Sequence, residues 1–325
     1  MIEILIAVLV LLGGFVLLIK GADIFVSGSS AIAKRLKVPP IVIGLTVVAM
    51  GTSLPELAVS VSASFHGSNS LAVSNVTGSN MFNLLMVLGF SAIVTPLIVD
   101  IQSLKTDFPF SILCGLVLLV FGLTSNRIDR WEGVILLVLF VGFLVFTVKR
   151  ALKNRTEAAS EDEKLMPVWK CILFVVLGAA MIKFGGDLVV GGSWTIQGKE
   201  IGYGAVALAR AFGMSETLIG LTIVACGTSL PELVTSMVAA KKKEVDMAVG
   251  NVIGSNIFNI LLILGAAAAI SPIDFIRENL YDLIILSSIS LLSLAFAWTG
   301  KRIRRLEGVI MVLLYAGFLT YVIIR

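Results

Sequence analysis

Long runs of hydrophobic residues, separated by short polar segments, make up most of this chain. A helix needs about 20 apolar residues to cross a hydrocarbon core about 30 Å thick. Runs that meet or approach this length predict spans at about 4–26, 40–64, 71–95, 108–124, 133–148, 167–192, 215–240, 247–270, 280–298 and 308–324. The first residues, Met1-Ile2-Glu3-Ile4, include no basic residue, so we expect the first run to be a retained span and not a signal peptide. The pattern predicts an all-α polytopic membrane protein with ten transmembrane helices.

Composition and charge support this class and exclude others. The chain is 58% hydrophobic and 14% charged, whereas soluble domains average about 45–50% apolar and about 25% charged residues. The net charge is only +4, and the basic residues form short clusters between apolar runs, which is not typical of a nucleic-acid-binding surface. Three cysteines without CxxC spacing and a single histidine, His66, argue against a disulfide framework, a zinc site and a haem site.

The longest polar segment, 149–166, divides the chain into two halves with five predicted spans each, 1–148 and 167–325. If this linker is cytoplasmic, the inner loops carry 16 Lys and Arg residues and the outer loops and termini carry six. Because basic residues concentrate on the cytoplasmic side, we expect a cytoplasmic linker, both termini outside, and location in the cell membrane. Two intrahelical pairs, Lys20 with Asp23 and Lys183 with Asp187, are expected to reach the headgroups.

An internal repeat is the strongest signal in the chain. Residues 44–89 and 220–265 align without a gap at an offset of 176, with 26 identities in 46 positions. Because each half has an odd number of spans, the second copy must enter the membrane from the opposite side, and such inverted repeats place a binding site near the midplane. The first spans of the two halves align at an offset of 164, so 12 additional residues around Trp194–Gly204 are expected to interrupt the sixth helix.

Each repeat places a glutamate deep in an apolar span, at Glu56 and Glu232. An ionisable group at that depth costs at least ~2.5 kcal/mol, and neither glutamate has a basic residue within one helical turn. A protonated or paired carboxyl group would explain a single such residue. Two at equivalent repeat positions favour a bound cation as the compensating charge.

Other oxygen atoms surround the glutamates in the sequence. Pro55 and Pro231 lack an N–H group, so carbonyl groups one turn earlier lose their helical partner and become available as ion ligands. The alternative explanation of the same prolines is a helix kink without ion binding. A stripe of Asn and Ser at a spacing of four follows in the next helix of each repeat, and it indicates either a coordinating face or hydrogen bonds between helices. Its members are Asn75, Ser79 and Asn83 in the first repeat and Asn251, Ser255 and Asn259 in the second. Glycines at 78 and 254 are expected to allow close helix packing. Oxygen ligands suit sodium and calcium better than zinc or copper.

The paired segments GTSLPE and GSN-x-FN resemble the two alpha-repeats of the cation/calcium antiporter superfamily, specifically its sodium/calcium exchanger branch. The resemblance implies exchange of sodium for calcium by alternating access, with long first and sixth helices that slide against the others. It implies no enzymatic activity, no cofactor, no nucleic acid and no protein partner, so that the two ions and the lipid bilayer are the expected partners. The implied ion site consists of Ala49, Thr52, Ser53, Glu56, Ser79, Asn83, Ala225, Thr228, Ser229, Glu232, Ser255 and Asn259.

Three alternatives share these features in part. A calcium/proton antiporter would use the same glutamates and follow a pH gradient, a channel would conduct without a counter-ion, and an intramembrane metallohydrolase would need a nucleophile and base that the chain does not offer. Asn259 stands where potassium-dependent relatives have Asp, which argues against potassium co-transport. The usual glycine before Asn75 is Ser74.

Overall fold

The computed structural model describes residues 2–65, 72–153, 165–196, 199–214 and 225–324. His66, the centre of the predicted linker and the first half of the predicted seventh span lie outside the described residues. Within the described residues, eight helices have the length and apolar composition to cross a membrane, and one further apolar helix is shorter. The described part of each of the ten predicted spans is mainly helical, which confirms a polytopic helical membrane protein.

The described residues of the first half form five helices. These are α1 (Ile2–Leu36), α2 (40–65), α3 (Ala72–Val94), α4 (101–125) and α5 (Arg130–Lys153). In the second half the described helices are α6 (Val168–Val190), α7 (Gly204–Ala211), α8 (Leu230–Lys241), α9 (Val245–Ile270), α10 (Arg277–Trp298) and α11 (Arg305–Ile324). The strands among the described residues are β1 (Leu97–Ile98), β2 (Arg127–Ile128), β3 (Gly192–Ile196), β4 (Lys199–Tyr203), β5 (Ile273–Asp274) and β6 (Arg302–Ile303).

Two small antiparallel sheets demonstrate that the repeats are inverted. β1 pairs with β6, and β2 pairs with β5. β1 and β5 are repeat equivalents, because the offset of 176 relates Leu97 to Ile273. β1 and β2 lie at opposite ends of α4, so β5, which pairs with β2, lies at the opposite end of the bundle from β1. The second repeat therefore runs through the bundle in the reverse direction.

Helices α3 and α9 form the centre of the molecule. In each of them 78% of the most apolar stretch is buried, compared with 17–33% for the other long helices. The outer helices expose large apolar side chains, such as Leu9, Leu12 and Val16 on α1, which suits contact with lipid. The polar residues of the repeat motifs therefore lie in the interior of the bundle, away from the lipid-facing surface.

Helices α1 and α6 pack against each other through glycines. A Cβ atom at Gly21 would lie 2.7 Å from Met181 Cβ, and one at Gly185 would lie 2.6 Å from Leu18 N. Small residues of this kind let helix backbones approach closely in membranes. The two helices consequently form a tight pair.

The additional residues of the second half form a β-hairpin that interrupts the sixth helix, as predicted. α6 ends at Val190, β3 and β4 pair with each other, and α7 begins at Gly204. Gly191 and Gly204 both have positive φ, and a Cβ at Gly204 would lie 2.5 Å from Gly191 Cα. The chain therefore leaves the helix and returns to nearly the same point. At an offset of 176, α7 is equivalent to the last turns of α1.

One of the two predicted intrahelical ion pairs is wrong. Lys183 Nζ lies 2.5 Å from Asp187 Oδ2, as expected. Asp23, in contrast, pairs with Lys242, whose Nζ lies 2.9 Å from Asp23 Oδ1. Lys242 comes directly after α8, so this contact joins α1 to the loop between α8 and α9, a partner that local sequence spacing does not reveal.

Candidate ion-binding site

The two glutamates lie in the interior, on α2 and α8. Glu56 is 3% exposed and Glu232 is 1% exposed. Ser53, one turn before Glu56, donates a hydrogen bond of 3.1 Å to Glu232 Oε1, so the two repeats meet at these carboxylates. Among the described residues, no basic side chain lies within ion-pair distance of either glutamate. The negative charge predicted at this depth is therefore uncompensated by the described part of the chain.

The two copies of the GTSLPE segment differ in backbone structure. In the second copy a short turn, Ala225–Gly227, ends before α8, and Pro231 occupies the first turn of α8, where a missing N–H group costs little. The predicted break is confirmed there. In the first copy α2 continues as a helix through Pro55, so the predicted break is absent. Upstream, this helix is held against α9, since a Cβ at Gly44 would lie 2.6 Å from Met247 O.

The hydroxyl group of Thr52 contacts both its own helix and the second repeat. Its Oγ1 lies 3.2 Å from Val48 O and 3.3 Å from Ala49 O, and also 3.3 Å from Asn251 Oδ1. Asn251 in turn donates to Ser236 Oγ at 2.9 Å. The amide of Asn251 is thus occupied by protein partners, and this member of the Asn and Ser stripe connects helices.

The predicted ligands on α3 and α9 are buried. Ser79 is 4% exposed and Ser255 is fully buried, while Asn83 and Asn259 are 1% and 2% exposed. Both asparagines stand at the start of a wider π-helical turn, Asn83–Val87 and Asn259–Leu264. Turns of this kind are rare in proteins, and those that occur often lie at functional sites. The two helices present these residues from opposite repeats.

Six buried oxygen atoms of predicted ligands have no hydrogen-bond partner among the described residues. An unpartnered buried polar group costs about 1–3 kcal/mol, and it calls for an explanation such as a bound ion. The atoms include two repeat-related pairs, one of carboxylate and one of amide oxygens, and two serine hydroxyl oxygens of the second repeat. They are Glu56 Oε2, Glu232 Oε2, Asn83 Oδ1, Asn259 Oδ1, Ser229 Oγ and Ser255 Oγ.

The remaining predicted residues are Ala49, Thr228 and Ala225, and two glycines predicted to allow close packing lie beside the site. Ala49 is buried, and a Cβ atom at Gly254 would lie 2.8 Å from the Ala49 Cβ. The helices therefore pack closely at Gly254, as predicted. A Cβ at Gly78 meets no described atom within 4 Å, so the close contact predicted there is not seen. Thr228 is half-buried, and the side chain of Ala225 lies outside the described atoms.

Sequence reasoning missed two residues next to these ligands, Asn80 and Asn256. Asn259 Nδ2 donates to Asn80 Oδ1 at 2.9 Å, and Asn83 Nδ2 donates to Asn256 Oδ1 at 3.1 Å. A signal was present, since both belong to the repeated GSN-x-FN motif. Their spacing of three from the ligand asparagines did not reveal a contact between repeats.

Comparison with known proteins places this arrangement in a family. The family model described as sodium/calcium exchanger protein matches residues 6–149 and 170–324. The chain is 41% identical over 324 residues to the protein CaxA of Alkalimonas amylolytica, covering 97% of this chain and 98% of that protein. It is 33% identical over 350 residues to the sodium/calcium exchanger MaX1 of Methanosarcina acetivorans, covering 96% and 97%.

The fold also matches a solved structure. The sodium-calcium exchanger NCX_Mj, in crystals soaked with sodium and strontium, aligns with a TM-score of 0.80 and 35% sequence identity over 96% of this chain and 97% of that chain. Both the sequence match and the structural match extend over the two halves, including the inverted repeats that carry the buried glutamates. The chain therefore belongs to the sodium/calcium exchanger family of membrane antiporters.

Proposed function

We propose that this protein exchanges sodium for calcium by alternating access, at a site between α2, α3, α8 and α9. The observation that carries this proposal is the set of six buried, unpartnered oxygen atoms, two of which belong to carboxylates. Every one of them is a hard ligand suited to sodium or calcium. We assign to the site the twelve residues that the resemblance to the antiporter family implies, with Ala49 and Ala225 contributing backbone carbonyl groups.

Charge balance links binding to exchange. Two uncompensated carboxylates in a low-dielectric interior are strongly unfavourable. One calcium ion or two sodium ions would neutralise Glu56 and Glu232. An empty, doubly charged site would resist the conformational change, and this barrier favours exchange over leakage.

We further propose that the linker at 149–166 is cytoplasmic, with both termini on the outside of the cell membrane. The domains are then the two five-helix repeats, 1–148 and 167–325, with alpha-repeats at 44–89 and 220–265. The distribution of basic residues supports this orientation.

A calcium/proton antiporter is the second candidate. Protons on Glu56 and Glu232 would neutralise the site as effectively as sodium, because both carboxylates have an unpartnered oxygen. Purified protein in liposomes distinguishes the two. Calcium uptake should follow an imposed sodium gradient with pH and voltage clamped. Uptake that ignores sodium and follows a pH gradient would establish the proton-coupled alternative.

The carboxylates themselves are tested by Glu56→Gln and Glu232→Gln. Each variant preserves shape but removes one charge, so a calcium ion would carry an unbalanced charge inside the membrane. We expect both to abolish sodium-driven uptake of radiolabelled calcium.

Glu132→Gln is the matched control. Glu132 is also buried, but its Oε2 accepts the Asp129 N–H group at 2.8 Å, a role that a glutamine oxygen can fill. This variant should transport normally. Normal calcium transport by the Glu56 or Glu232 variant would mean that the glutamate concerned is structural and would refute the two-carboxylate site.

A further inference from the structure

Two asparagines that are absent from the proposed ligand set lie at the centre of the bundle. Asn80 on α3 is 1% exposed and Asn256 on α9 is 2% exposed. Each precedes a ligand asparagine of its own helix by three residues, yet each contacts the ligand asparagine of the other repeat. The two contacts are the same contact repeated, because the offset of 176 converts Asn80 and Asn83 into Asn256 and Asn259.

The direction of these hydrogen bonds matters for cation binding. A primary amide carries an acceptor oxygen on one branch and a donor NH₂ group on the other. Only the oxygen can bind a cation, so a ligand asparagine that rotated by half a turn would present the wrong group. In both contacts the ligand asparagine uses its Nδ2, and in both its Oδ1 stays without a partner.

Asn80 is itself held in the orientation that this role requires. Its Nδ2 donates to the backbone carbonyl of Asn256 at 3.2 Å. With its NH₂ group occupied there, its Oδ1 is directed to the NH₂ group of Asn259. The contact therefore orients the amide group of Asn259 through a side chain anchored on the same helix that carries Asn259.

We infer that Asn80 and Asn256 are positioning residues, which hold the ligand amides of Asn259 and Asn83 with their oxygen atoms available to the ion. This inference rests on the proposed function. The positioning acts between repeats, so each alpha-repeat orients a ligand of the other. It also requires α3 and α9 to keep their relative position while the site is occupied.

A double-mutant cycle tests the crossed pairing, with calcium affinity of the purified protein measured by titration calorimetry. Asn80→Ala removes the acceptor for Asn259, and we expect about a three- to tenfold loss of calcium affinity, equivalent to one hydrogen bond. The loss should disappear when Asn259 is already alanine, because Asn80 acts through it. Asn80→Ala combined with Asn83→Ala should instead show the product of the two single losses, although Asn83 is the closer residue along the chain.

A transport measurement separates positioning from a general structural role. Asn80→Ala should raise the KM for calcium by the same factor and leave kcat within about twofold, whereas a distorted bundle would lower kcat. Asn80→Asp retains an acceptor oxygen for Asn259 but loses the donor to Asn256 O, so it should weaken calcium binding less than Asn80→Ala does. If the alanine variant is not monodisperse, Asn80→Ser replaces it, since a serine hydroxyl is too short to reach Asn259.

Each outcome is decisive. Equal losses from Asn80→Ala with and without Asn259 would overturn the inference, as would coupling to Asn83 in place of Asn259. If Asn83→Ala and Asn259→Ala themselves leave calcium binding unchanged, the proposed ligand set is wrong, and the failure then belongs to the proposed function.

Discussion

Replacement of Lys242 by methionine is expected to loosen the contact between α1 and the loop that joins α8 to α9. The Lys242 ammonium group lies 2.9 Å from Asp23 Oδ1, 2.8 Å from Asp23 O and 2.6 Å from Ser27 Oγ. These three acceptors match the three protons of an ammonium group. Ser30 on α1 also donates to Glu244 in the same loop. Methionine has a similar length and no donor, so it removes the Lys242 contacts with little change in volume.

The free energy that the Lys242 contacts contribute depends on how exposed the two charged side chains are. The side chains of Lys242 and Asp23 are 29% and 54% exposed, so solvent weakens the ion pair, which contributes at most about 1 kcal/mol. The hydrogen bonds to Asp23 O and Ser27 add a similar amount. A total of about 1–2 kcal/mol corresponds to a 5–30-fold change in the equilibrium between closed and open contacts.

Chemical labelling measures this equilibrium. Val26 lines a cavity of about 420 Å³ that Lys242, Ser27 and Ser30 also border, and its side chain is fully buried. A cysteine at Val26, in a background without the three native cysteines, should react with a membrane-impermeant maleimide at a rate proportional to the fraction of molecules in which the contact is open. Lys242→Met should increase this rate about 5–30-fold.

A neighbouring lysine provides the control for charge. Lys241, the last residue of α8, is exposed. Lys241→Met removes the same charge one residue earlier in the chain, so its labelling rate should equal that of the parent protein. If Lys242→Met also labels at the parent rate, the three contacts of Lys242 do not hold α1 against the loop, and the reasoning fails.

Three further changes have defined outcomes. Asn259→Asp adds a third carboxylate, beside Asn80 Oδ1, so it should bind calcium more tightly and turn over more slowly. Titration calorimetry measures the affinity and transport assays measure the turnover, and unchanged calcium binding would refute this prediction. Asp107→Asn should destabilise the protein by about 3–5 kcal/mol, since Arg150 Nη1 lies 2.8 Å from Asp107 Oδ1 in a pair that is 14% and 2% exposed, and an unchanged melting temperature would contradict this. Deletion of residues 192–203 should leave a folded, transporting protein with a continuous sixth helix, and aggregation of the purified variant would refute the view of the hairpin as an extruded segment.

The spans and the repeat could be predicted because they depend on local properties. Runs of apolar residues mark membrane helices whatever their neighbours are. The repeat identified Glu56 and Glu232 together, since two equivalent buried carboxylates are hard to explain structurally. The difference between the two repeat offsets, 164 and 176, also located the 12 additional residues that form the hairpin.

Contacts between helices could not be predicted, because they depend on how distant segments approach. Nothing in the spacing of Lys20 and Asp23 indicated that Asp23 would instead pair with Lys242. The crossed contacts of Asn80 and Asn256 likewise arise only when α3 and α9 pack in reverse directions. The repeat motif marked these residues, but their partners lie 179 and 173 positions away along the chain.

The packing of the bundle indicates which helices we expect to move. The amides of Asn80, Asn83, Asn256 and Asn259 connect α3 to α9 in the buried centre, where a lost hydrogen bond is costly. α1 and α6 pack closely on each other through glycines, whereas α1 reaches the α8–α9 loop through exposed polar contacts that solvent can replace. The polar contacts that displacement of the α1 and α6 pair breaks are therefore weaker than the polar contacts that join α3 to α9. Glu56 and Glu232 stay with the central helices, so access to the ion would change while its ligands remain assembled.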